Sequence, residues 1–230
     1  MNSNINHKEI VDFYNEKHFE LEQFLVSVKA FFSGNPKLNT GTTPVVHSVK
    51  SRFKDADHLV DKLQRKFPDS DEVTTENIFE KINDLIGVRV LHLYQDQFKL
   101  IHDEIMGKIS VGDWALVEDP KAYTWDPEST KIFNSLNIKT EVKDTFYTSV
   151  HYVIKPNNSN PKSVCCEVQV RTLFEEIWGE IDHGINYPHP SEDLACIEQL
   201  RVLAKLVSTG TRLADSIFRT YNHGKLKKSE

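Results

Sequence analysis

Two stretches of the chain decide its fold class: FYTSVHYVI at residues 146–154 and VCCEVQV at residues 164–170. Both are rich in β-branched and aromatic side chains, which is typical of β-strands. The connecting residues, 155–161, include two prolines and three asparagines and favour a turn. We therefore predict two neighbouring strands joined as a hairpin.

Polar side chains occupy one face of each predicted strand, because residues two apart in a strand share a face. The polar sets are Tyr147, Ser149 and His151 in the first strand, and Glu167, Gln169 and Arg171 in the second. The opposite faces are apolar and suited to a core. Each polar face is compatible with a half-exposed sheet in water or with the wall of a binding site, and one triplet alone does not decide between them.

The remainder of the chain alternates between predicted helices and strands. Periodicity and composition predict helices over residues 7–32, 53–67, 77–85, 97–106, 173–185 and 193–221, and a further strand at 88–94. Residues 113–129, which contain two tryptophans and two prolines, fit neither pattern. Helices interleaved with strands predict an α/β (α+β) domain.

The composition limits the classes of function. With 230 residues, 39% of them hydrophobic and 27% charged, the chain has the composition of a soluble globular protein. Its formal net charge of −6 argues against broad, non-specific binding of nucleic acid, which needs a basic face. A polyanionic ligand would therefore have to meet a local basic cluster.

The sequence also predicts where the protein resides. It contains no run of about 18 apolar residues, and its polar N-terminus lacks the apolar core of a signal peptide. The cysteines Cys165, Cys166 and Cys196 are odd in number and form a poor disulfide framework. We expect free thiols, no membrane contact and a cytoplasmic location.

A basic cluster of the required kind lies on the predicted helix at 53–67. At about 100° per residue, the cationic side chains gather opposite the apolar ones. The cationic side comprises Lys54, His58, Lys62 and Arg65, with Arg52 just before the first turn. One interpretation is a solvated face paired with Asp55, Asp57 and Asp61; the other is a set of donors that converge on a triphosphate.

Two carboxylates could hold a magnesium ion on such a ligand. Asp84 precedes the strand predicted at 88–94, and Glu167 lies in the second of the two hairpin strands. Asp84 and Arg89 are an odd number of residues apart, so simple alternation places them on opposite faces. Both can serve one site if Gly87 marks a bulge or if Asp84 lies outside the strand.

Five motifs in this order resemble the synthetase domain of the RelA/SpoT family, which makes the alarmone (p)ppGpp. They are Arg52-Phe-Lys54 with Lys62, Asp84-Leu-Ile-Gly-Val-Arg89, Phe146-Tyr147-Thr-Ser149-Val-His151, Glu167-Val-Gln169-Val-Arg171-Thr172, and Trp178-Gly179-Glu-Ile-Asp-His183 with Tyr187. The resemblance implies a nucleotidyltransferase-like mixed β-sheet flanked by helices. It divides the chain into an N-terminal helical extension (1–40), a synthetase domain (41–190) and a C-terminal helix and tail (191–230).

The resemblance also implies a reaction and roles for its residues. The reaction is Mg²⁺-dependent transfer of the β,γ-pyrophosphate of ATP to the 3′-hydroxyl of GDP or GTP, with release of AMP. The implied ATP-binding residues are Arg52 and Arg89 around the adenine and Lys54, Lys62 and Arg65 on the phosphates. Asp84 and Glu167 would bind Mg²⁺, and Glu167 would also take the proton of the attacking hydroxyl. The implied acceptor-binding residues are Lys143, Tyr147, His151, Gln169, Arg171 and Gly179, with Tyr147 stacked on the base.

Departures from the family pattern leave the acceptor open. Phe146 replaces a glycine and adds bulk beside the acceptor pocket, Thr145 replaces an asparagine that reads guanine, and Gly179 replaces an alanine. Toxin-type relatives use the same chemistry on tRNA 3′ ends or adenine nucleotides. For tRNA, the C-terminal helix could supply a basic surface from Arg201, Lys205, Arg212, Arg219 and 225–228.

Other properties stay open at this level. A third alternative is a nucleotide-binding module without catalysis, against which the presence of both carboxylates argues. Too few residues precede the motifs for the hydrolase domain of the fused family members, so we expect a stand-alone small synthetase or the catalytic part of a longer protein. The apolar residues of the terminal helices are compatible with a homo-oligomer, and the sequence identifies no regulatory or antitoxin partner.

Overall fold

The computed structural model describes residues 2–67, 72–158, 160, 163–187 and 189–229. Its helices are α1 (Asn2–Glu16), α2 (His18–Gly34), α3 (Pro36–Asn39), α4 (Ala56–Lys66), α5 (Ile78–Lys81), α6 (Phe98–Ser110), α7 (Pro127–Ser135), α8 (Leu173–Asn186) and α9 (Leu194–Ser229). Its strands are β1 (Ser48–Phe53), β2 (Ile86–His92), β3 (Trp114–Tyr123), β4 (Lys139–Glu141), β5 (Ser149–Pro156) and β6 (Cys166–Thr172).

The strands form one mixed sheet in the order β1-β2-β6-β5-β3-β4. β2 pairs with β6 and β3 with β4 in parallel, and the other neighbours are antiparallel. The hairpin predicted from 146–154 and 164–170 is the β5–β6 pair, and the predicted α/β class is confirmed. The parallel β2–β6 pair lies inside the sheet, with β1 on one side and β5 on the other.

The register of the central strands places the polar side chains in two adjacent rows. In one row Arg52 of β1 lies opposite Gly87 of β2, which lies opposite Glu167 of β6. The next row runs from Lys50 through Arg89 and Gln169 to His151. Because paired residues share a face of the sheet, both rows line the same side of it.

The opposite side of the sheet is the core. Alternate residues of the central strands are at most 1% exposed: Val88, Val90, Val150, Tyr152, Val168 and Val170. Helix α2 packs against β1 and β2 and contributes the fully buried Leu21, Val28 and Phe32. Each such side chain stabilises the fold by about 1.5–3 kcal/mol, so the polar rows are held on a rigid base.

The N-terminal segment differs from the prediction. In place of one helix over 7–32, α1 and α2 meet at Lys17, whose ψ of 0° departs from helical values. The bend has a consequence for packing: α1 lies against α4, whereas α2 lies against the sheet. Periodicity alone could not locate it, because both helices are amphipathic.

The helix predicted at 53–67 begins at Ala56, and Arg52 lies in the edge strand β1. Asp55 starts the helix, since its side chain accepts from the amide of Asp57 at 2.8 Å. Strand β1 escaped prediction because its polar residues Lys50 to Arg52 are exposed and show no alternation.

Other boundaries also differ. The helix predicted at 77–85 is limited to Ile78–Lys81, Tyr147 lies just before β5, and α9 runs to Ser229. The unassigned residues 113–129 contain β3 and the start of α7. Pairing of β3 with β5 shifts register twice between Leu116 and Lys121, around Pro120, which lacks an amide hydrogen. These shifts remove the simple alternation.

Two simpler expectations can be compared with the structure. All three cysteines are free thiols, as predicted, and Cys165 and Cys166 are buried. Within the described ranges, no helix is both long enough and apolar enough to cross a membrane.

Candidate active site

A cleft opens between α4, the polar face of the sheet and α8. Of the predicted site residues it is lined by Arg52, Lys54, Lys62, Arg65, Asp84, Arg89, Tyr147, Gln169, Arg171 and Gly179. An adjoining cavity, lined by Glu167, shares Arg52, Arg89 and Gln169 with the cleft. Segments far apart in sequence thus converge on one place.

Asp84 forms ion pairs with two lysines of the cleft. Asp84 lies before β2 rather than in it. The alternation of side chains along β2 therefore does not apply to Asp84, and Asp84 and Arg89 can both face the cleft. Its carboxylate accepts from Lys54 Nζ at 2.9 Å and from Lys62 Nζ at 2.6 Å. Burial raises the pKa of Asp84, but the two lysines outweigh burial and bring it to about 2.

These ion pairs replace the surface pairing considered for α4. The lysine side chains are 9% and 17% exposed and face the cleft, so they are not on a solvated helix face. Lys66, which follows Arg65 at the end of α4, lines the same cleft. Burial and then the charge of Lys62 lower the pKa of Lys66, as expected for a cation crowded by other cations.

Glu167 is held by a chain of hydrogen bonds. Its Oε1 lies 3.0 Å from His151 Nδ1, and its Oε2 accepts from Gln169 Nε2 at 2.8 Å. His151 Nε2 lies 2.9 Å from the hydroxyl of Tyr147. Because an ionised carboxylate only accepts, Nδ1 of His151 carries a proton and donates a hydrogen bond to Glu167.

The environment of Glu167 keeps it ionised. Burial raises its pKa, but the hydrogen bond and charge of His151, together with the bond from Gln169, outweigh burial and leave it below the usual value. The negative charge of Asp84 acts in the opposite direction on the pKa of Glu167. The two carboxylates are therefore close enough to interact.

Glu176 is a site residue that sequence reasoning missed. It is 5% exposed, and its carboxylate lies 2.8 Å from Lys50 Nζ, 2.6 Å from Arg171 Nη2 and 3.3 Å from Arg89 Nη1. Arg89 also pairs with Glu180. Glu176 therefore ties β1, β2 and β6 to α8. In the sequence it is simply an acid in the first turn of a helix, where acids are common.

Tyr147 and Phe146 point to different cavities. Tyr147 lines the cleft beside Trp178, 6.3 Å between ring centroids, with the guanidinium carbon of Arg171 6.0 Å from its ring. Phe146 has φ of 65°, and its ring stacks on Trp125 at 5.1 Å in a second cavity. The ring of Phe146 therefore lies outside the cleft that Tyr147 lines. The expectation that Phe146 adds bulk beside the acceptor pocket stays a prediction.

Lys143 and His151 complete the predicted set. The Lys143 ammonium lies 4.3 Å from the ring centroid of Tyr123, whose ring in turn meets His151 edge-on at 4.9 Å. His151 contacts Tyr147 and Glu167 as above. Both residues therefore lie beside the cleft, on the side of Tyr147.

Two carboxylates of the site, Asp84 and Glu167, are the residues expected to bind magnesium. Among the residues that the structure describes, no group of three or more His, Cys, Asp or Glu side chains could hold a metal ion. Asp84 and Glu167 supply hard carboxylate oxygens in pairs. Mg²⁺ is commonly bound by one or two carboxylates together with substrate phosphates, so these residues fit Mg²⁺ brought in with a polyphosphate rather than a closed protein cage.

Similar sequences are found among known proteins. Residues 51–192 match the sequence model of the region found in RelA / SpoT proteins. GTP pyrophosphokinase YwaC of Bacillus subtilis (strain 168) is 28% identical over 152 residues, which cover 64% of this chain and 60% of YwaC. The chain thus spans less than two thirds of that relative's length.

Similar folds are found among solved structures. Small alarmone synthetase 1 from Bacillus subtilis superimposes with a TM-score of 0.68 at 17% identity, covering 92% of this chain and 99% of that chain. The same synthetase bound to its product pppGpp gives a TM-score of 0.64 at 18% identity, covering 90% and 93%. The likeness establishes the shared fold, a mixed sheet flanked by helices.

The Asp84 ion pairs predict a specific acid dependence of stability. A carboxyl whose pKa falls from 3.8 to about 2 on folding contributes stability that is fully present above its unfolded pKa and is lost as the pH falls through its folded pKa. The contribution is about 2 kcal/mol. Asp84→Asn should therefore flatten the fall in unfolding free energy between about pH 4 and pH 2. Urea unfolding followed by tryptophan fluorescence measures this, with Asp61→Asn, on the exposed side of α4, as the control. Parallel curves for wild type and Asp84→Asn would contradict the assignment.

Two glycines of α8 allow a matched comparison. A Cβ on Gly179 would lie 2.6 Å from Arg171 Nη1, whereas a Cβ on Gly184 would meet nothing within 4 Å. Arg171 is 3% exposed and paired with Glu176, so it cannot easily yield. Gly184→Ala should raise the free energy of unfolding by about 0.5–1 kcal/mol, the helix gain of alanine. For Gly179→Ala the clash should cancel that gain, so its free energy of unfolding should be lower than that of Gly184→Ala by about 1–2 kcal/mol. Equal stabilisation in chemical denaturation would show that Arg171 is not fixed.

Proposed function

The chain belongs to the RelA/SpoT family, and on that premise we propose that it transfers the β,γ-pyrophosphate of ATP to the 3′-hydroxyl of GDP or GTP, producing (p)ppGpp and AMP. The observation that carries the proposal is the convergence of two buried lysines and a carboxylate at one end of the cleft with a second carboxylate beside Tyr147. The relative YwaC is named as a GTP pyrophosphokinase, and a structural neighbour is bound to pppGpp, which agrees with it.

The donor nucleotide is assigned to the α4 side of the cleft. Lys54 and Lys62 bind the phosphates, with Arg65 at the rim, because several cations on α4 and the turn before it match the charge of a triphosphate. Arg52 and Arg89 hold the adenine between them. Arg89 is paired with Glu176 and Glu180 in the structure. When ATP binds, Arg89 therefore gives up one of these ion pairs to contact the adenine.

The acceptor is assigned to the Tyr147 side. Its base stacks on Tyr147 against the wall formed by Arg171 and Gly179. Lys143, His151 and Gln169 lie near enough to contact its ribose or phosphates. In the transfer, the 3′-oxygen forms a bond to the β-phosphorus of ATP, the bond from that phosphorus to the α-phosphate oxygen breaks, and AMP leaves.

Glu167 takes the proton of the 3′-hydroxyl. It is ionised, as a proton acceptor must be, and His151 and Gln169 fix the orientation of its carboxylate. Mg²⁺, held by Asp84 and Glu167 with the donor phosphates, would supply neutralisation of the charge on the transferred group. Most of the catalytic effect then comes from positioning and electrostatics rather than from covalent chemistry.

A polynucleotide acceptor gains no support from the C-terminal helix. Three of its basic side chains are engaged by carboxylates: Arg201 with Glu198, Arg212 with Asp126, and Arg219 with Asp96. The side chains of 225–228 lie outside the described residues. A basic approach surface for tRNA would need these charges free, so the nucleotide acceptor is the one proposed.

The proposal predicts transfer of label from γ-³²P-ATP to GDP or GTP in the presence of Mg²⁺, with ADP and deacylated tRNA as parallel acceptors. Glu167→Gln should lower the rate by about 10²–10⁴-fold, the usual contribution of a general base, while binding of ATP measured by calorimetry without Mg²⁺ is largely retained. Glu104→Gln, which removes a carboxylate paired with Lys37 away from the cleft, is the matched control.

The outcomes separate the alternatives. Label on ADP or tRNA alone would contradict the guanine acceptor and keep the chemistry. Binding of MgATP without transfer to any acceptor would favour a non-catalytic module. Full activity of Glu167→Gln would remove Glu167 as the proton acceptor.

A further inference from the structure

The turn that carries Lys54 is fixed by elements outside the cleft. Residues 54 and 55 connect β1 to α4, and the side chain of Lys54 reaches Asp84 from this turn. Its backbone amide donates to the carbonyl of Leu85 at 2.8 Å, which ties the turn to the segment that bears Asp84. One main-chain group of Lys54 remains to be satisfied, its carbonyl oxygen.

That carbonyl accepts from the hydroxyl of Tyr14 on α1 at 2.8 Å. Tyr14 is 3% exposed and packs in the main core with Ile10 of the same helix. Burial, with a smaller effect of the Asp55 charge, raises the pKa of Tyr14 to about 12, so the hydroxyl keeps its proton at neutral pH. The hydrogen bond therefore has a fixed donor on a rigid support.

A second contact from the same region supports the turn. The ring of His18, the first residue of α2, stacks on the ring of Phe53 with centroids 4.2 Å apart and planes 10° apart. Phe53 itself lines the cleft. Residues on either side of the α1–α2 junction thus contact the start of the turn: Tyr14 contacts Lys54, and His18 contacts Phe53. Neither Tyr14 nor His18 lies in the region 51–192 that matches the family.

We infer that Tyr14 is a positioning residue of the ATP site: its hydroxyl fixes the main chain of Lys54, so that the ammonium group of Lys54 meets the donor phosphates beside Asp84. The inference rests on the proposed function, because it requires Lys54 to bind ATP. It assigns α1, otherwise a terminal extension, a part in nucleotide binding. A misplaced Lys54 ammonium group would weaken the binding of ATP. It would leave binding of the acceptor, on the Tyr147 side of the cleft, unaffected.

The test compares two buried tyrosine hydroxyls. Tyr14→Phe deletes only the hydroxyl that contacts Lys54. Tyr152→Phe deletes a hydroxyl that lies 2.8 Å from His102 Nδ1 on the core side of the sheet, away from the cleft. Binding of Mg²⁺ with α,β-methylene-ATP is measured by calorimetry, and KM values for ATP and acceptor are measured with each variant.

The expected result is a rise of about threefold to tenfold in the dissociation constant of the analogue and in KM for ATP for Tyr14→Phe alone, the factor that corresponds to one hydrogen bond. The acceptor KM should not change. Thermal melting of both variants measures any general loss of stability. In a Lys54→Met background, Tyr14→Phe should weaken binding no further, because the hydroxyl acts through Lys54.

Three results would overturn the inference: analogue binding by Tyr14→Phe equal to wild type, an equal loss in Tyr152→Phe, or a full additional loss in the Lys54→Met background. Failure of the wild-type chain to bind the analogue at all would instead contradict the proposed function and the inference with it. The two failures are therefore distinguishable in one set of titrations.

Discussion

The parallel pairing of β2 with β6 in the interior of the sheet is the interaction on which the site depends. Parallel strands begin at the same edge, so the segment before β2 and the start of β6 lie together. That edge receives Asp84 from the turn before β2 and Glu167 from the second position of β6. Since the valines on the reverse side of both strands are buried in the core, a slip of one residue would expose them and turn Glu167 inward. Core packing thus enforces the register that brings the carboxylates together.

Charge compensation in the cleft links its parts. Asp84 pairs with Lys54 and Lys62, and Glu176 pairs with Lys50, Arg89 and Arg171, so each carboxylate holds several cations in place. Under the proposed function, a polyphosphate that takes the two lysines leaves the Asp84 oxygens free in the position from which a carboxylate ligates a cation. Engagement of the donor phosphates and release of the metal ligand are then one event.

Sequence patterns were sufficient for some of this architecture. The alternation at 146–154 and 164–170 predicted β5 and β6, and the odd spacing of Asp84 and Arg89 showed that Asp84 could lie outside its strand, where it is found. Sequence patterns did not predict the strands whose formation depends on tertiary contacts. Strand β1 is an edge with exposed polar residues, and β3 is interrupted around Pro120. The role of Glu176 was not predictable either, because its partner Lys50 is 126 residues away along the chain. The roles of individual residues in binding and catalysis stay predictions.

A crystal structure of the protein with Mg²⁺ and α,β-methylene-ATP tests the central claim most directly, that Asp84, Glu167 and the lysines of the β1–α4 region form one donor site. The account predicts a cation in contact with carboxylate oxygens of both Asp84 and Glu167, and Lys54 and Lys62 moved from Asp84 onto the phosphates. A nucleotide bound elsewhere, or a nucleotide in the cleft with Asp84 still paired to both lysines and no cation between the carboxylates, would contradict it.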